Sequence, residues 1–178
     1  RAEERRYREW VMGGEGKGKG VRGSGGPGGA GLGGGGGHGG GGTRAGCGAA
    51  GEDGRAGNLA GGTHHACRDH GEGFCLLNDV VIAARAMVDE GRARQVLSVD
   101  CDVHQGNGTA AMAQGDGSIL TFSIHSESNF PLFKEQSDLD LALPDGTDDE
   151  GYLAALDSGL AEILALSLIH ISEPTRPY

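Results

Sequence analysis

The stretch QVLSVDCDVHQGNG, residues 95–108, starts as a short apolar run and ends in acids, a histidine and glycines. Asp100, Asp102 and His104 alternate at the point where the strand predicted from the apolar run should stop. Alternate residues of an extended chain point to one face, so these three side chains are predicted to lie together. A solvated strand edge explains the acids, but it explains the histidine and the preceding apolar residues less well.

The surrounding segments predict an α/β fold. Residues 95–100 have the pattern of a central parallel strand covered on both faces, and residues 118–125 and 139–143 that of two further strands. Helical patterns flank and separate these strands, at residues 78–91, 108–115 and 148–164. Such alternation is typical of a mostly parallel sheet with flanking helices.

The helix predicted at residues 78–91 carries start and stop signals. Asn78 can cap its first turn, the negative charge of Asp79 favours that turn, and Gly91 can end the helix. Its apolar residues lie on most sides, so a well-buried helix is expected.

Two of the predicted strands deliver polar side chains to the same edge of the sheet, where ligands of open parallel sheets bind. The first strand runs into the acids described above, and the second ends at His125. Asp102 and His104 offer a carboxylate oxygen and an imidazole nitrogen, which suit Zn²⁺ or another divalent transition metal. A surface pair would look the same, but Gly106 and Gly108 favour a site because they allow close backbone approach.

A second polar cluster, GGTHHACRDHGEGF, occupies residues 61–74. Two adjacent histidines in a glycine-bounded turn cannot both be core residues, so His64 and His65 are candidates for acid–base chemistry. His70 has the simpler interpretation of a loop residue.

The sequence resembles the histone deacetylase family in four blocks that come in the family's order and at similar spacing. These are GGTHHA at 61–66, GEGFCLLNDV at 71–80, VLSVDCDVHQGNGT at 96–109 and FSIH at 122–125. The HQGNG form is similar to the bacterial and class IV-like branch, and the resemblance covers roughly residues 57–164. It implies the arginase–deacetylase fold, here incomplete at the C-terminus, and hydrolysis of the amide of acetyl-lysine or a related acetylated amine.

The resemblance also implies roles for individual residues. Asp102 and His104 correspond to zinc ligands, and His65 corresponds to the general base that takes a proton from the zinc-bound water. His64 corresponds to its neighbour, which helps to stabilise the oxyanion and is oriented by Asp100.

The remaining matched positions correspond to residues that orient a histidine, line the substrate tunnel or hold a second ion. Asn107 replaces an aspartate that many relatives place against the second histidine, so it orients the ring without contributing charge. Gly73 and Phe74 match the substrate tunnel, and Phe130 is a candidate for the facing aromatic residue. The backbone at residues 123–124 matches positions that help to hold a structural potassium ion beside the first acid of the DCDVH segment.

The chain departs from the family's pattern toward its end. The family's third zinc ligand, an aspartate, and its later transition-state tyrosine have no match, and Asp138, Asp140 and Asp145 lie in a different family segment. Residues 166–178, LSLIHISEPTRPY, resemble the in-frame translation of a sequencing adapter rather than a natural apolar tail. We therefore expect a truncated fragment, inactive by itself, with a partial histone deacetylase domain at residues 57–165.

The first 56 residues differ in composition from the rest. Of the 37 glycines, 20 lie within residues 13–42. This low-complexity stretch predicts a flexible coil, because it cannot offset its ordering entropy by burial. A misread frame of a GC-rich gene is the alternative origin for residues 1–56.

Charge and cysteine usage limit the partners. The net charge is −10, which disfavours direct nucleic-acid binding, and no long apolar span predicts a membrane role. Four cysteines without a C-x-x-C pair are typical of free thiols in a cytoplasmic protein. The expected substrate is an acetylated lysine protein or an acetylpolyamine.

Two other functions remain open from the sequence. A binuclear manganese ureohydrolase would need another aspartate two residues after the metal-binding histidine, where this chain has Gly106. A non-catalytic acyl-lysine-binding protein would not need the adjacent pair His64 and His65. Both are less favoured than a zinc-dependent deacylase.

Overall fold

The computed structural model describes the backbone of residues 30–172 and the side chains of residues 40–166. Its centre is a parallel sheet of three strands in the order β1-β2-β3. They are β1 (Val96–Asp100), β2 (Ile119–Ser126) and β3 (Leu139–Leu143). The predicted α/β class with a mostly parallel sheet is confirmed.

Within residues 30–172, four helices accompany the sheet, and three of them cover its faces. They are α1 (Ala30–Asp53), α2 (Asp79–Asp89), α3 (Asn107–Ala113) and α4 (Asp149–Ser172). Among residues 30–172, no helix combines the length and the apolar character needed to cross a membrane.

Alternating residues of β2 supply the core on both sides of the sheet. On one side Ile119 packs with Val81 of α2 and Ala113 of α3. On the other side Phe122 and Ile124 pack with α4 in a cluster that includes Ile163. β2 is therefore the strand that is covered on both faces.

The prediction that residues 95–100 form the central strand is wrong for the described part of the chain. β1 pairs with β2 alone and lies at the sheet edge, and the Val99 side chain is 41% exposed. A continuous apolar run shows that a strand can be covered on both faces, but it does not show which neighbours cover it.

The caps of α2 follow the sequence prediction. The Asn78 side chain accepts a hydrogen bond from the amide of Val81. At the other end Gly91 has a φ of +67°, the left-handed conformation in which glycine commonly follows a helix.

The expectation of a flexible coil over residues 13–42 is wrong where the structure describes it, since α1 begins at residue 30; residues 13–29 lie outside the described part. α1 lies against α2, with Gly40 beside Ile82 and the Thr43 hydroxyl donating to Asp79 at 2.5 Å. Glycine costs about 1 kcal/mol per residue in a helix relative to alanine. Tertiary contacts of this kind oppose that cost.

Candidate active site

His64 is the first histidine of the loop that approaches the end of β1. Its Nδ1 bonds to a carboxylate oxygen of Asp100, and its Nε2 lies 4.0 Å from Oδ1 of Asp102. Burial alone would lower the pKa of His64, but the hydrogen bond and the charge of Asp100 raise it above the ordinary value. His64 is therefore biased toward the protonated form.

His65, its neighbour, sits in a different electrostatic environment. Its Nδ1 is 2.7 Å from Oδ1 of Asn107, and its side chain is buried. Burial lowers the pKa of His65, and the nearby His64 and His104 lower it further against the opposing bond to Asn107. Two adjacent histidines thus have pKa values shifted in opposite directions, which is the usual basis for separate acid and base roles.

Glu72 is a residue of this site that the sequence reasoning missed. Its carboxylate accepts a hydrogen bond of 2.5 Å from Nδ2 of Asn107, whose Oδ1 contacts His65. Position 107 itself carries no charge, as expected. The carboxylate on this side of the His65 ring is that of Glu72, which is linked to the ring through Asn107. The sequence offered no signal for this contact because 35 positions separate Glu72 from Asn107.

The loop that carries both histidines is held from behind by the start of α2. The Asn78 amide donates to the carbonyls of His64 and Ala66 and to the hydroxyl of Thr109. Asp79, which is fully buried, accepts from the backbone amides of Gly62 and Thr63 and from the Thr63 hydroxyl.

Asp102 and His104 lie together just beyond β1, but the reason differs from the predicted strand alternation. The strand ends at Asp100, whose Oδ1 accepts the amide of Asp102, and Asp102 in turn accepts the amide of His104 at 2.8 Å. These two side chain–backbone turns bring the groups to one place. Oδ1 of Asp102 lies 3.1 Å from Nδ1 of His104.

A carboxylate and an imidazole at this separation fit two of the three protein ligands of a catalytic zinc site. Within the described side chains, no third His, Cys, Asp or Glu completes a three-ligand group with them. The three acids left without a role in the sequence analysis bond elsewhere: Asp138 to Thr121, Asp140 to Gln105 and Asp145 to Ser126.

Glycines at three positions let the backbone approach the polar groups. A Cβ at Gly106 would lie 2.3 Å from Oδ2 of Asp100, and one at Gly108 would lie 2.3 Å from the carbonyl oxygen of Ala66. At Gly73, whose φ is +53°, a Cβ would lie 2.4 Å from the His65 ring. Any side chain at these positions would displace the site.

Two of the predicted tunnel residues, Gly73 and Phe130, lie beside His65. The ring of Phe130 contacts His65 edge to face, with centroids 4.9 Å apart, and lies 6.0 Å from the His104 ring. Phe74 follows Gly73 with a φ of +64°, and its side chain is 86% exposed.

The strand register also places the predicted potassium-site segment. Ser123 pairs with Asp100 across β1 and β2, and Ile124 is the next residue. The side chains of Ser123 and His125 are both buried here, and the Ser123 hydroxyl lies 3.0 Å from Nδ1 of His125. His125 thus lies inside the sheet layer, and β2 continues one residue beyond it.

The family model described as a histone deacetylase domain matches residues 40–166 of this sequence. The chain belongs to the histone deacetylase family. This match begins at residue 40, whereas the sequence alone predicts a domain start at residue 57.

Several relatives of this histone deacetylase domain are similar over part of their length. An uncharacterized protein of Picosynechococcus sp. is 52% identical over 96 residues, covering 54% of this chain and 32% of that protein. A polyamine deacetylase of Rattus norvegicus is 40% identical over 75 residues, covering 41% of this chain and 13% of that protein. The chain spans about a third or less of the length of these relatives.

A solved structure shares the fold of this histone deacetylase domain. The crystal structure of an HDAC homolog complexed with SAHA superposes with a TM-score of 0.58 and 25% identity. The match covers 67% of this chain and 35% of that chain. The arginase–deacetylase-like fold is thereby confirmed for the part of the chain described.

Proposed function

We propose that this chain is part of a zinc-dependent deacylase that hydrolyses the amide of an acetylated lysine or an acetylpolyamine. The observation that carries the proposal is the pairing of His64 with Asp100 and of His65 with Asn107, next to Asp102 and His104. An acid, a base and a partial metal site within one small region match the needs of amide hydrolysis.

Asp102 and His104 would hold the zinc, together with a third ligand from outside the described residues. When bound, zinc would polarise the substrate carbonyl and lower the pKa of a water molecule. His65, with its lowered pKa, takes a proton from the attacking water and later gives it to the departing amine. His64, whose pKa is raised by the hydrogen bond and the charge of Asp100, donates a hydrogen bond to the oxyanion as it develops.

Gly73, Phe74 and Phe130 would form the wall that receives the apolar stem of the substrate. The edge-to-face contact between Phe130 and His65 supports this role, because it places an aromatic surface beside the proposed base. We further propose that the segment of Ser123 and Ile124 helps to hold potassium beside Asp100, and that the parent protein is cytoplasmic.

The manganese ureohydrolase alternative is disfavoured by the geometry at Gly106. That class needs a carboxylate at this position, yet a Cβ there would lie 2.3 Å from Asp100. No aspartate fits without moving the acid that orients His64.

The test is acetate release by a longer protein that joins this domain to a region supplying a third metal ligand. We expect hydrolysis of an acetyl-lysine peptide or of N-acetylputrescine that is lost on chelation and restored by Zn²⁺. Urea release from arginine, or binding of both acetylated probes without turnover, would overturn the proposal.

A further inference from the structure

The loop between the two histidines and α2 holds a second group of metal-ligating side chains. Cys67, His70 and Glu72 each offer one ligand atom, and these atoms all lie within 4.8 Å of one another. Cys67 and Glu72 are half-buried, and His70 is exposed at the rim. The group shares no residue with Asp102 and His104.

Backbone pairing holds this loop in a closed form. The amide of Cys67 donates to the carbonyl of His70 at 2.9 Å. Glu72 and Cys75 exchange two backbone hydrogen bonds, of 3.1 and 2.7 Å. The three side chains therefore project from a turn that is already formed, so less ordering is required when a cation binds.

Two of the ligands are oriented by neighbours. Nδ1 of His70 lies 2.8 Å from the carboxylate of Asp69, which leaves Nε2 as the ring nitrogen for a metal. A carboxylate behind a metal-binding histidine is a common way to fix its orientation. Oε2 of Glu72 is occupied by the Asn107 amide, which leaves Oε1 for a metal.

We propose that Cys67, His70 and Glu72 form a second zinc site, separate from the one at Asp102 and His104. A set of one sulfur, one nitrogen and one oxygen favours Zn²⁺ over Mg²⁺ or Ca²⁺, which prefer oxygen ligands alone. Ligands of a tetrahedral zinc ion at 2.0–2.3 Å lie roughly 3.5 Å apart, so a small contraction of the loop closes the site. A water molecule completes the coordination.

The negative charges of Glu72 and Asp69, which act on the Cys67 thiol, favour a cation at this place, whereas burial of the thiol opposes it. Burial and the charges of Glu72 and Asp69 raise the pKa of Cys67 to about 11, so the free thiol is neutral near pH 7. Zinc binding releases that proton as the sulfur–metal bond forms. Glu72 also accepts a hydrogen bond from Asn107, which in turn contacts His65. An ion bound here would therefore fix the position of the Glu72 carboxylate against Asn107.

The experiment is a titration of the 178-residue chain with Co²⁺, followed by thiolate-to-cobalt charge-transfer absorption. That absorption requires a cysteine ligand, so the pair Asp102 and His104 cannot produce it. We expect the band in the parent chain, in Cys101→Ser and in the double variant Asp102→Asn, His104→Ala. Cys67→Ser should abolish it, and His70→Ala should weaken Co²⁺ binding by at least about tenfold.

Far-ultraviolet circular dichroism will show whether Cys67→Ser keeps the parent's helical content. If it does not, Asp69→Asn serves as the decisive variant, because it alters an exposed residue that bonds to His70 but is not one of the three proposed ligands. It should weaken Co²⁺ binding by about tenfold or more. The proposal is overturned by a parent chain without the band, by a band that survives in Cys67→Ser, or by Asp69→Asn binding Co²⁺ as the parent does.

Discussion

At the scale of single residues, the candidate site depends on how the Glu72 carboxylate is linked to His65 through Asn107. The hydrogen-bond partner of the His65 ring is a neutral amide, Asn107. Here Glu72 contacts the amide of Asn107 from the side opposite His65. The negative charge thus lies on Glu72 rather than at position 107. The Asn107 side chain, held by Glu72, orients the His65 ring.

Asn107→Asp should therefore destabilise the fold. The change places a carboxylate at hydrogen-bond distance from Glu72, so one of the two acids must bind a proton or lose its partner. We expect a loss of about 1–3 kcal/mol in the free energy of unfolding, measured by denaturant titration of the metal-free chain at pH 7.

The matched control is the double variant Asn107→Asp, Glu72→Gln, which exchanges the acid and the amide. It should regain most of the lost stability, because an amide again faces a carboxylate. Equal stability of Asn107→Asp and the parent chain would show that Glu72 does not contact position 107.

His65→Ala is the test of the proton-transfer role in the longer protein. We expect kcat to fall by about 10²-fold or more, the usual range for general acid–base catalysis, while zinc content stays the same. His104→Ala is the control that should lose the catalytic zinc as well. Loss of zinc together with activity in His65→Ala would mean that His65 is a ligand.

At the scale of elements, the start of α2 connects the helix layer to the histidine loop. Asp79 accepts from Thr43 of α1 and from Thr63 before the histidines. Burial alone would raise the pKa of Asp79, but the hydrogen bonds from Thr43 and Thr63 lower it below its ordinary value.

This shift predicts a pH-dependent contribution to stability. Because the pKa is lower in the folded state, Asp79 stabilises the fold above its unfolded pKa of about 3.9 and loses this effect as pH falls through the folded value. Asp79→Asn should cost about 1.5–3 kcal/mol near pH 7 and progressively less below about pH 4. Thermal unfolding between pH 3 and 7 measures the difference.

Asp89→Asn, at the other end of α2, is the control because this side chain is exposed. It should unfold as the parent does across the same range. A constant difference between Asp79→Asn and the parent at all pH values would contradict the assignment of the lowered pKa.

The contact between α4 and the sheet depends on one glycine. A Cβ at Gly159 would lie 2.5 Å from Cζ of Phe122 and 2.8 Å from Cδ1 of Leu141. Phe122 is only 1% exposed, so its ring has little room to move.

Gly159→Ala should therefore destabilise the chain by about 1–3 kcal/mol, the usual cost of overpacking, despite the higher helix propensity of alanine. Gly46→Ala in α1 is the control, because nothing lies within 4 Å of its added Cβ. It should stabilise the chain by up to about 1 kcal/mol in denaturant titrations. A stabilised Gly159→Ala would contradict the described packing of α4.

At the scale of the whole molecule, the described residues hold only part of the proposed active site. β1 pairs with β2 alone, and Val99 and Val103 beside the candidate site are 41% and 52% exposed. A catalytic zinc needs three protein ligands, and the described side chains supply two proposed ones, Asp102 and His104. We therefore expect the 178-residue chain to show no measurable turnover of an acetyl-lysine peptide, even with added Zn²⁺. Clear hydrolysis by the purified chain would show that two protein ligands suffice.

The local features of this protein were predictable from its sequence. All three predicted strands form, and the apolar run of β2 agrees with its burial, because a parallel strand covered on both faces needs apolar side chains on both. Asn78 predicted the start of α2 because a capping side chain bonds within three residues of itself. The four family blocks predicted the histone deacetylase fold and named the histidines and acids that the structure brings together.

Only the tertiary structure decided the features that depend on distant residues. Glu72 lies against Asn107, Thr43 against Asp79, and β2 rather than β1 has covered faces on both sides. Local sequence patterns predict which secondary structure a segment can form, because helix periodicity and capping involve residues that are neighbours in sequence. Which segment lies beside another is determined by packing across the whole chain, and a single sequence does not specify that directly.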